Sequence, residues 1–444
     1  MPEACRGSVV GRIYGNLGRL LGGKAAAGVV SLVYIAIAAR ELGPAEYGVL
    51  VLVHTYVMTV GGLIEFPGWH AVVRYGAQAL EAGDRPRVTR LLAFAGVVEM
   101  AAGVLAVAIA AILAPWVGQK LGWSPTAIAF ALPYSLAVLA SIRATPAGYL
   151  QLAGRFDLLG AHSVVAPLFR LAGAGIAVAA QAGLRGFLIA WLVAALAEWA
   201  AMWALGAWAA RGKFTWRDLR SGLSGVPAEN PGLWRFMWGA NADVTLSEFA
   251  GRAAPLAVGW ILGPAAAGLY AVAQRATVVI SQPALVLGQA AYAELARLAA
   301  AGHRGARIRA ALGPAIGIAL LAAAPVCVLI GLFGPWVATT VAGPAFAGAA
   351  GIMLWLALAR ALQLAAPPLS ATLTVLGRPG LSVRANLLSC VGLLALLPPL
   401  LAWLGLGGAA AFAILQAVAA VGLLAVAVHG ETRGADLLVA ETRA

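Results

Sequence analysis

Runs of about 20 predominantly apolar residues recur along the whole chain, and they limit the fold more than any other feature. A helix of about 20 apolar residues crosses the hydrocarbon core of a membrane, and hydrophobic residues occupy 62% of the 444 positions. Charged residues make up only 11%, whereas soluble proteins carry about 25%. A water-exposed globular protein and a disordered chain are both excluded. The pattern predicts an all-α polytopic membrane protein.

Glycine, proline and arginine residues separate the apolar runs into twelve predicted transmembrane helices, six in each half. The predicted domains are an N-terminal six-helix bundle (1–210), a cytoplasmic linker (211–234) and a C-terminal six-helix bundle (235–444). The predicted spans are 17–39, 47–67, 91–116, 126–149, 160–181, 186–209, 235–261, 267–292, 310–333, 347–372, 385–403 and 409–429.

The net charge of +13 largely reflects topology. Twenty-one Lys and Arg residues fall on one side of the predicted spans, whereas the other side has three, Arg40, Lys120 and Arg185. Because cytoplasmic loops carry the excess of positive charge, both termini are predicted to be cytoplasmic. A signal peptide ending at Ala36-Ile37-Ala38 is an alternative for the first run, but Lys24 interrupts that run, so we expect a retained span.

The sequence predicts neither nucleic-acid binding nor a metal or cofactor site. Nucleic-acid binding is not expected, because no basic run lies in a soluble domain. The three cysteines, Cys5, Cys327 and Cys390, lie far apart, so neither a disulfide framework nor a metal site is predicted. No cofactor is implied either.

A short motif repeats at half the chain length. The pattern L-G-P-A-x-x-G occupies 42–48 and again 262–268, an offset of 220 residues, each time after the first helix of a half. Since the residue before a proline disfavours helical geometry, each copy should end a helix. Six helices per half give both halves the same orientation, so the sequence predicts parallel repeats about an axis along the membrane normal.

Ionisable residues also occur inside the predicted spans, where each costs at least about 2–3 kcal/mol and is a functional candidate. The cations outnumber the acids, so the interior is predicted to be positive and suited to an anion. The cations are Arg19, Lys24, Arg170, Arg252, Arg275 and Arg360, and the acids are Glu99, Glu198, Asp243 and Glu248, with Glu65 near a helix end.

The span 235–261 has the clearest polar face. Asn241, Thr245, Glu248 and Arg252 follow one another at helical spacing, so they lie on one side of the helix. Such a stripe should face water or another polar stripe. The alternative is that Glu248 and Arg252 neutralise each other four residues apart.

The other candidates also have two interpretations each. Arg275 and Gln282 share a face of the next span. His54 is either a proton site or a hydrogen-bonded packing residue. A structural role is the alternative for Arg170 and Arg360, which no polar stripe accompanies. The roles of Glu99 and Glu198 stay open.

Longer matches point to a known family. The run 39–48 (Ala-Arg-Glu-Leu-Gly-Pro-Ala-Glu-Tyr-Gly) resembles the polysaccharide flippases of the Wzx type, in the multidrug/oligosaccharidyl-lipid/polysaccharide (MOP) exporter superfamily. The similarity extends over 262–297, through Leu262-Gly263-Pro264, Gly268-Leu269-Tyr270, Gln274-Arg275 and Glu294-Leu295-Ala296-Arg297.

The resemblance implies two bundles around a central cavity that opens alternately to each side of a bacterial inner membrane. The implied cargo is an undecaprenyl-diphosphate-linked oligosaccharide, moved from the cytoplasmic to the periplasmic leaflet. Cations in a low-dielectric cavity would hold the diphosphate. The predicted substrate-binding residues are Lys24, Asn241, Thr245, Arg252, Arg275, Gln282, Arg360 and Arg170, and the predicted coupling or gating residues are His54, Asp243 and Glu248.

The implied partners are the lipid-linked oligosaccharide, membrane lipids, glycan polymerase machinery and a coupling ion, H⁺ or Na⁺. A drug/cation antiporter of the same superfamily is one alternative, although its cargo would favour surplus carboxylates. A lipid II flippase is another, although those proteins usually have fourteen helices. A membrane glycan polymerase or ligase would need a long outer loop, and the predicted outer loops are short, so no enzyme is expected.

Overall fold

The computed structural model describes residues 3–65, 68–212, 223–281 and 305–441, with backbone alone in stretches such as 238–250. Helices dominate these residues, and the described part of the chain contains no β-strand. Within it, nine helical segments are long and apolar enough to cross a membrane. The prediction of an all-α polytopic protein is confirmed.

The first half contains both long helices and short ones. They are α1 (Glu3–Ile64), α2 (Gly68–Glu81), α3 (Arg85–Lys120), α4 (Pro125–Tyr134), α5 (Ala144–Leu152), α6 (Phe156–His162), α7 (Val165–Ala179) and α8 (Gly183–Ala210), with a 3₁₀ helix at Ser135–Ser141.

The second half follows a similar pattern. Its helices are α9 (Val226–Glu229), α10 (Leu233–Leu262), α11 (Pro264–Thr277), α12 (Ala306–Ala342), α13 (Ala350–Gln363), α14 (Ala366–Val375), α15 (Pro379–Cys390), α16 (Leu397–Leu404) and α17 (Leu406–Glu441). Short 3₁₀ helices lie at Leu223–Gly225, Val278–Ser281, Pro344–Ala349 and Gly392–Leu396.

Every predicted span falls on one or more of these helices, with three differences in detail. The first two spans lie on α1, interrupted by a kink at Gly43. The fourth span is broken between α4 and α5, and the amphipathic helix α2 stands where a loop was expected. The span 267–292 continues past 281 into residues outside the described ranges.

Contacts divide the chain into two units, Met1–Leu42 with Val49–Phe249, and Gly43–Gly48 with Ala250–Ala444. The expected linker (211–234) lies partly outside the described residues, and the predicted domain boundaries stay a prediction. The end of that segment is nevertheless held firmly within the first unit. Asn230 is fully buried and accepts hydrogen bonds from the Arg87 guanidinium (3.0 and 3.2 Å), and Glu229 pairs with Arg90 (2.9 Å).

The repeated motif has the same backbone conformation in both copies. Gly43 (φ 67°, ψ 176°) and Gly263 (φ 87°, ψ 173°) each take a positive φ, which glycine adopts at little cost. Each following proline then stands in the first turn of a helical segment, where its missing N–H is harmless. The prediction that Gly-Pro interrupts the helix is therefore confirmed at both sites.

Within the second unit the two copies also pack directly on each other. A Cβ atom added to Gly48 would lie 1.8 Å from the Pro264 carbonyl oxygen, and one added to Gly268 would lie 2.2 Å from the Pro44 carbonyl oxygen. The two contacts differ by the 220-residue offset in both partners, so a local two-fold relation exchanges the motifs. Only glycine permits backbones to approach so closely.

Candidate substrate and coupling site

Six of the eleven predicted site residues have described side chains, namely Lys24, His54, Arg170, Arg252, Arg275 and Arg360. Asn241, Asp243, Thr245 and Glu248 lie on α10 in the stretch described as backbone alone, and Gln282 lies outside the described residues. Lys24 is exposed in the first unit, and Arg252 is partly buried in the second. Their predicted common site with Arg275 stays a prediction.

The structure brings two of the predicted residues into direct contact in the first unit. Arg170 on α7 and His54 on α1 meet beside three aromatic side chains, and we call these five residues the Arg170 cluster. The aromatic members are Tyr34 on α1, Tyr134 at the end of α4 and Trp191 on α8. Four separate helices therefore converge on one guanidinium group.

Hydrogen bonds fix the orientation of each polar member of the Arg170 cluster. Arg170 donates from Nη1 to the Tyr34 hydroxyl (3.1 Å), and its Nη2 lies 3.1 Å from His54 Nε2. Since a guanidinium can only donate, His54 Nε2 accepts and the ring proton is on Nδ1. His54 Nδ1 then donates to the Tyr134 hydroxyl at 2.9 Å.

Aromatic faces provide the rest of the environment of Arg170. The guanidinium carbon lies 4.9 Å from the Trp191 ring centroid and 5.7 Å from that of Tyr34, which are cation–π distances. Arg170 Nε is enclosed and has no hydrogen-bond partner among the described residues. Within that part of the chain, no carboxylate pairs with Arg170, although Glu198 attracts it from farther away.

An enclosed guanidinium held by neutral partners retains its positive charge for an incoming anion. Arginine presents several donors in a planar fork that matches the oxygens of a phosphate group. The Arg170 cluster can therefore bind an oxyanion.

Glu99 has a structural environment of a different kind. Its carboxylate is buried and accepts hydrogen bonds from the backbone N–H groups of Ala144 and of Thr145 (2.8 Å for the latter), at the start of α5. The next residue is Pro146, which has no N–H to satisfy. The first three positions of α5 thus have their hydrogen-bonding needs met despite the break in the span.

Glu198 supports the same break from the other side. It forms an ion pair with Arg143, and its backbone carbonyl accepts a hydrogen bond from His162 Nε2 (2.9 Å). Trp203 donates its indole N–H to the Ile142 carbonyl at 2.9 Å. The open question about Glu99 and Glu198 is therefore answered by helix capping and ion pairing.

A second group of cations lies in the second unit. Arg360 on α13 donates from Nε to the Thr277 hydroxyl (3.0 Å), which in turn donates to the Gln274 carbonyl (2.9 Å). Arg275 is exposed on α11 and close enough to Arg360 to repel it electrostatically. Two of the predicted substrate-binding cations are thus neighbours, and the unit concentrates positive charge there.

Among the described residues, no group of three or more His, Cys, Asp or Glu side chains has an arrangement that could hold a metal ion. The described polar clusters are dominated by guanidinium, imidazole and hydroxyl groups. Their chemistry suits the binding of an anion.

Comparison with known proteins then identifies the family. A family model described as "Polysaccharide biosynthesis protein" matches residues 37–350, well over half of the chain. The chain belongs to this family. The family resemblance seen in the residues around the repeated motif is confirmed.

The chain is similar to an inner membrane protein and to the solved structures of a transporter and of a flippase. An inner membrane protein of Escherichia coli (strain K12), YghQ, is 28% identical over 270 residues, which cover 61% of this chain and 76% of that one. A multidrug resistance MATE family transporter of the MOP superfamily, in an inward-facing conformation, has a TM-score of 0.73 at 14% identity and covers 97% of this chain and 100% of its own.

The lipid II flippase MurJ in an inward closed conformation gives a TM-score of 0.69 at 12% identity, covering 91% of this chain and 86% of that one. At these identities the likeness establishes the fold. The chain is a multi-pass inner membrane protein with the MOP fold, and its described residues contain nine candidate spans. The orientation of its termini stays a prediction.

Proposed function

We propose that this protein is a flippase for polyprenyl-diphosphate-linked oligosaccharides, such as the repeat units of O-antigen or exopolysaccharide. It moves them from the cytoplasmic to the periplasmic leaflet by alternating access. The observation that carries the proposal is the guanidinium of Arg170, enclosed among neutral partners in a protein of the polysaccharide biosynthesis family. Such a cation selects an anionic cargo.

The diphosphate is the part of the cargo that this site recognises. It is a compact anion and costly to carry through a low-dielectric interior unless cations accompany it. Each unit holds such cations, Arg170 in the first and Arg275 with Arg360 in the second. The other predicted ligands, Lys24 and Arg252 for the diphosphate and Asn241, Thr245 and Gln282 for the sugar hydroxyls, belong to the same proposal.

Competition binding tests the charge of the cargo. Purified protein in nanodiscs is loaded with a fluorescent polyprenyl diphosphate, and unlabelled undecaprenyl diphosphate or tetraphenylphosphonium is added. We expect displacement by the diphosphate. We also expect Arg170→Gln to weaken diphosphate binding by about 10- to 100-fold, since a hydrogen bond to a charged group contributes about 1.5–3 kcal/mol.

Arg185→Gln is the matched control, because Arg185 is an exposed arginine at the start of α8. This variant should bind as the wild type does. Displacement by tetraphenylphosphonium alone would contradict the proposal and would favour a drug/cation antiporter. A preference for lipid II over other lipid-linked oligosaccharides would favour a lipid II flippase instead.

A further inference from the structure

A groove of about 900 Å³ lies in the first unit between α3 and α8. One wall is a face of α3 from Thr89 to Met100, and the other is the end of α8 and its extension, from Trp203 to Gly212. The first turns of α5, which packs against both helices, contribute the rest of the lining. We call this cavity the α3–α8 groove. No member of the Arg170 cluster lines it, so it is separate from the proposed substrate site.

Most of the lining of the α3–α8 groove is apolar, with leucine, valine, methionine, alanine and glycine on its two walls. Three polar side chains in the lining already donate a hydrogen bond to a backbone carbonyl of the protein. They are Thr89, Tyr149 and Trp203, at 3.1, 3.3 and 2.9 Å. Because these donors are satisfied, the groove suits hydrocarbon better than water or a sugar.

The groove is open at the surface of the first unit. Val97 on the α3 wall is 55% exposed, and Ala207 on the α8 wall is also exposed. An empty space beside apolar walls forfeits the dispersion contacts that a filled one makes. In a membrane protein the hydrocarbon that is available to fill such a groove is a lipid chain.

The length of the groove matches one leaflet of the bilayer. The α3 wall from Thr89 to Met100 is about 16 Å long at the helical rise of about 1.5 Å per residue. The hydrocarbon core of a bilayer is about 30 Å thick, so one leaflet contributes about 15 Å. In the predicted orientation, the end at Thr89 and Arg211 is cytoplasmic. A chain in the groove therefore belongs to a lipid of the cytoplasmic leaflet.

A positive charge stands at the cytoplasmic end of the groove. Arg211 directly follows α8 and is exposed. It is the one charged residue among the described lining residues, and no carboxylate is among them. A phosphate at this level would meet a guanidinium that matches its oxygens. Since the charge of the site is positive, a headgroup with a net negative charge fits better than a zwitterionic one.

We propose that the α3–α8 groove binds one anionic phospholipid of the cytoplasmic leaflet. Its phosphate contacts Arg211, and an acyl chain lies between α3 and α8. The chain joins the two helices beside the start of α5, where the span is broken, and so stabilises the folded first unit. This inference goes beyond the proposed function and does not depend on it.

Native mass spectrometry of the full-length protein tests the site. The protein is delipidated in detergent and titrated with phosphatidylglycerol or phosphatidylethanolamine of the same chain length. Ala207→Phe places a ring in the groove from an exposed position, and Ala108→Phe, exposed on α3 outside the groove, is its matched control. Arg211→Gln removes the positive charge, and Arg185→Gln, at the other end of α8, is its control.

We expect the wild type, A108F and R185Q to bind one phosphatidylglycerol more tightly than any further lipid. Binding to A207F should be at least about tenfold weaker, because the chain loses buried apolar area. In R211Q the preference for phosphatidylglycerol over phosphatidylethanolamine should fall about fivefold, as expected for one arginine facing anionic lipid. Phosphatidylglycerol should also raise the unfolding midpoint of A108F more than that of A207F.

Equal phosphatidylglycerol affinities for A207F and A108F would overturn the inference. An unchanged headgroup preference in R211Q would overturn it as well, and this variant gives an answer even if A207F does not fold. Displacement of phosphatidylglycerol from the wild type by a lower concentration of undecaprenyl phosphate would also overturn it, and would assign the groove to a polyprenyl chain instead. The Arg170 variants test the proposed function separately.

Discussion

Glu99 and Arg170 are both ionisable residues on predicted spans, yet their surroundings satisfy their charges to different extents. The Glu99 carboxylate is occupied by two backbone N–H groups at the start of α5. Arg170 is held by a phenol, an imidazole and aromatic faces, none of which cancels its charge. Glu99 therefore stabilises a broken helix, and Arg170 remains positive for a ligand.

The role of Glu99 gives a prediction about stability. Glu99→Gln keeps one acceptor oxygen but turns an amide group toward the second backbone N–H, so one hydrogen bond is lost. We expect the free energy of unfolding to fall by about 1–3 kcal/mol. Thermal unfolding in detergent measures this change, with Glu81→Gln, at the exposed end of α2, as the control. Equal midpoints for E99Q and E81Q would contradict the capping role.

The candidate site was only partly predictable from the sequence. His54 and Arg170 could be chosen because an ionisable residue within an apolar run needs an explanation. Their contact could not be predicted, since the two residues are 116 positions apart, and Tyr34 is 136 positions from Arg170. Tyr34, Tyr134 and Trp191 gave no signal, because aromatic residues are common in any membrane helix.

At the scale of helices, the two copies of the repeated motif pack backbone against backbone. Gly48 and Gly268 each lie against the carbonyl of the proline in the other copy. The repeat was visible in the sequence because its residues are needed for their backbone conformation and small size. The contact between the two copies could not be predicted from the sequence. Sequence similarity shows that two segments fold alike, but it does not show that they touch.

Adding a methyl group at these glycines should therefore be costly. In Gly48→Ala and Gly268→Ala, the new Cβ would lie 1.8 and 2.2 Å from a backbone oxygen, so the helices must separate. We expect each variant to lose about 1–3 kcal/mol in thermal unfolding. Gly28→Ala is the matched control, because nothing lies within 4 Å of its added Cβ. A helical alanine there should be neutral or stabilising by up to about 1 kcal/mol. Similar losses in all three variants would contradict the account.

The helices themselves were the most predictable part of the fold. Long apolar runs fix where a chain crosses the membrane, because every buried backbone group must be bonded within its own helix. The break between α4 and α5 was missed because it depends on Glu99 and Glu198, which come from other helices. The helix α2 was missed because its apolar face is too short to resemble a span.

On the scale of the whole molecule, the distribution of Lys and Arg predicts that both termini are cytoplasmic. A green fluorescent protein fused to the C-terminus should fluoresce, and alkaline phosphatase at the same position should be inactive. Phosphatase inserted in the connection between α3 and α4, at Gly122, should be active. The reverse pattern would contradict the predicted orientation and the direction of transport that follows from it.

The net charge of the molecule has two separate origins at this scale. Most of the excess of +13 lies in the connections and sets the orientation. A smaller part lies within the helices, and it includes Arg170 in one unit and Arg275 and Arg360 in the other. The proposed function depends on that smaller part alone.

Transbilayer movement of the proposed cargo is the most direct test. Proteoliposomes carry an undecaprenyl-diphosphate-linked oligosaccharide with a fluorescent sugar, and a membrane-impermeant quencher reports how fast it changes leaflets. We predict rapid movement with the wild type and with R185Q, and movement at least about tenfold slower with R170Q, which loses a charge-assisted contact. No movement with the wild type, or equal rates for R170Q and the wild type, would contradict a flippase that carries its cargo on the Arg170 cation.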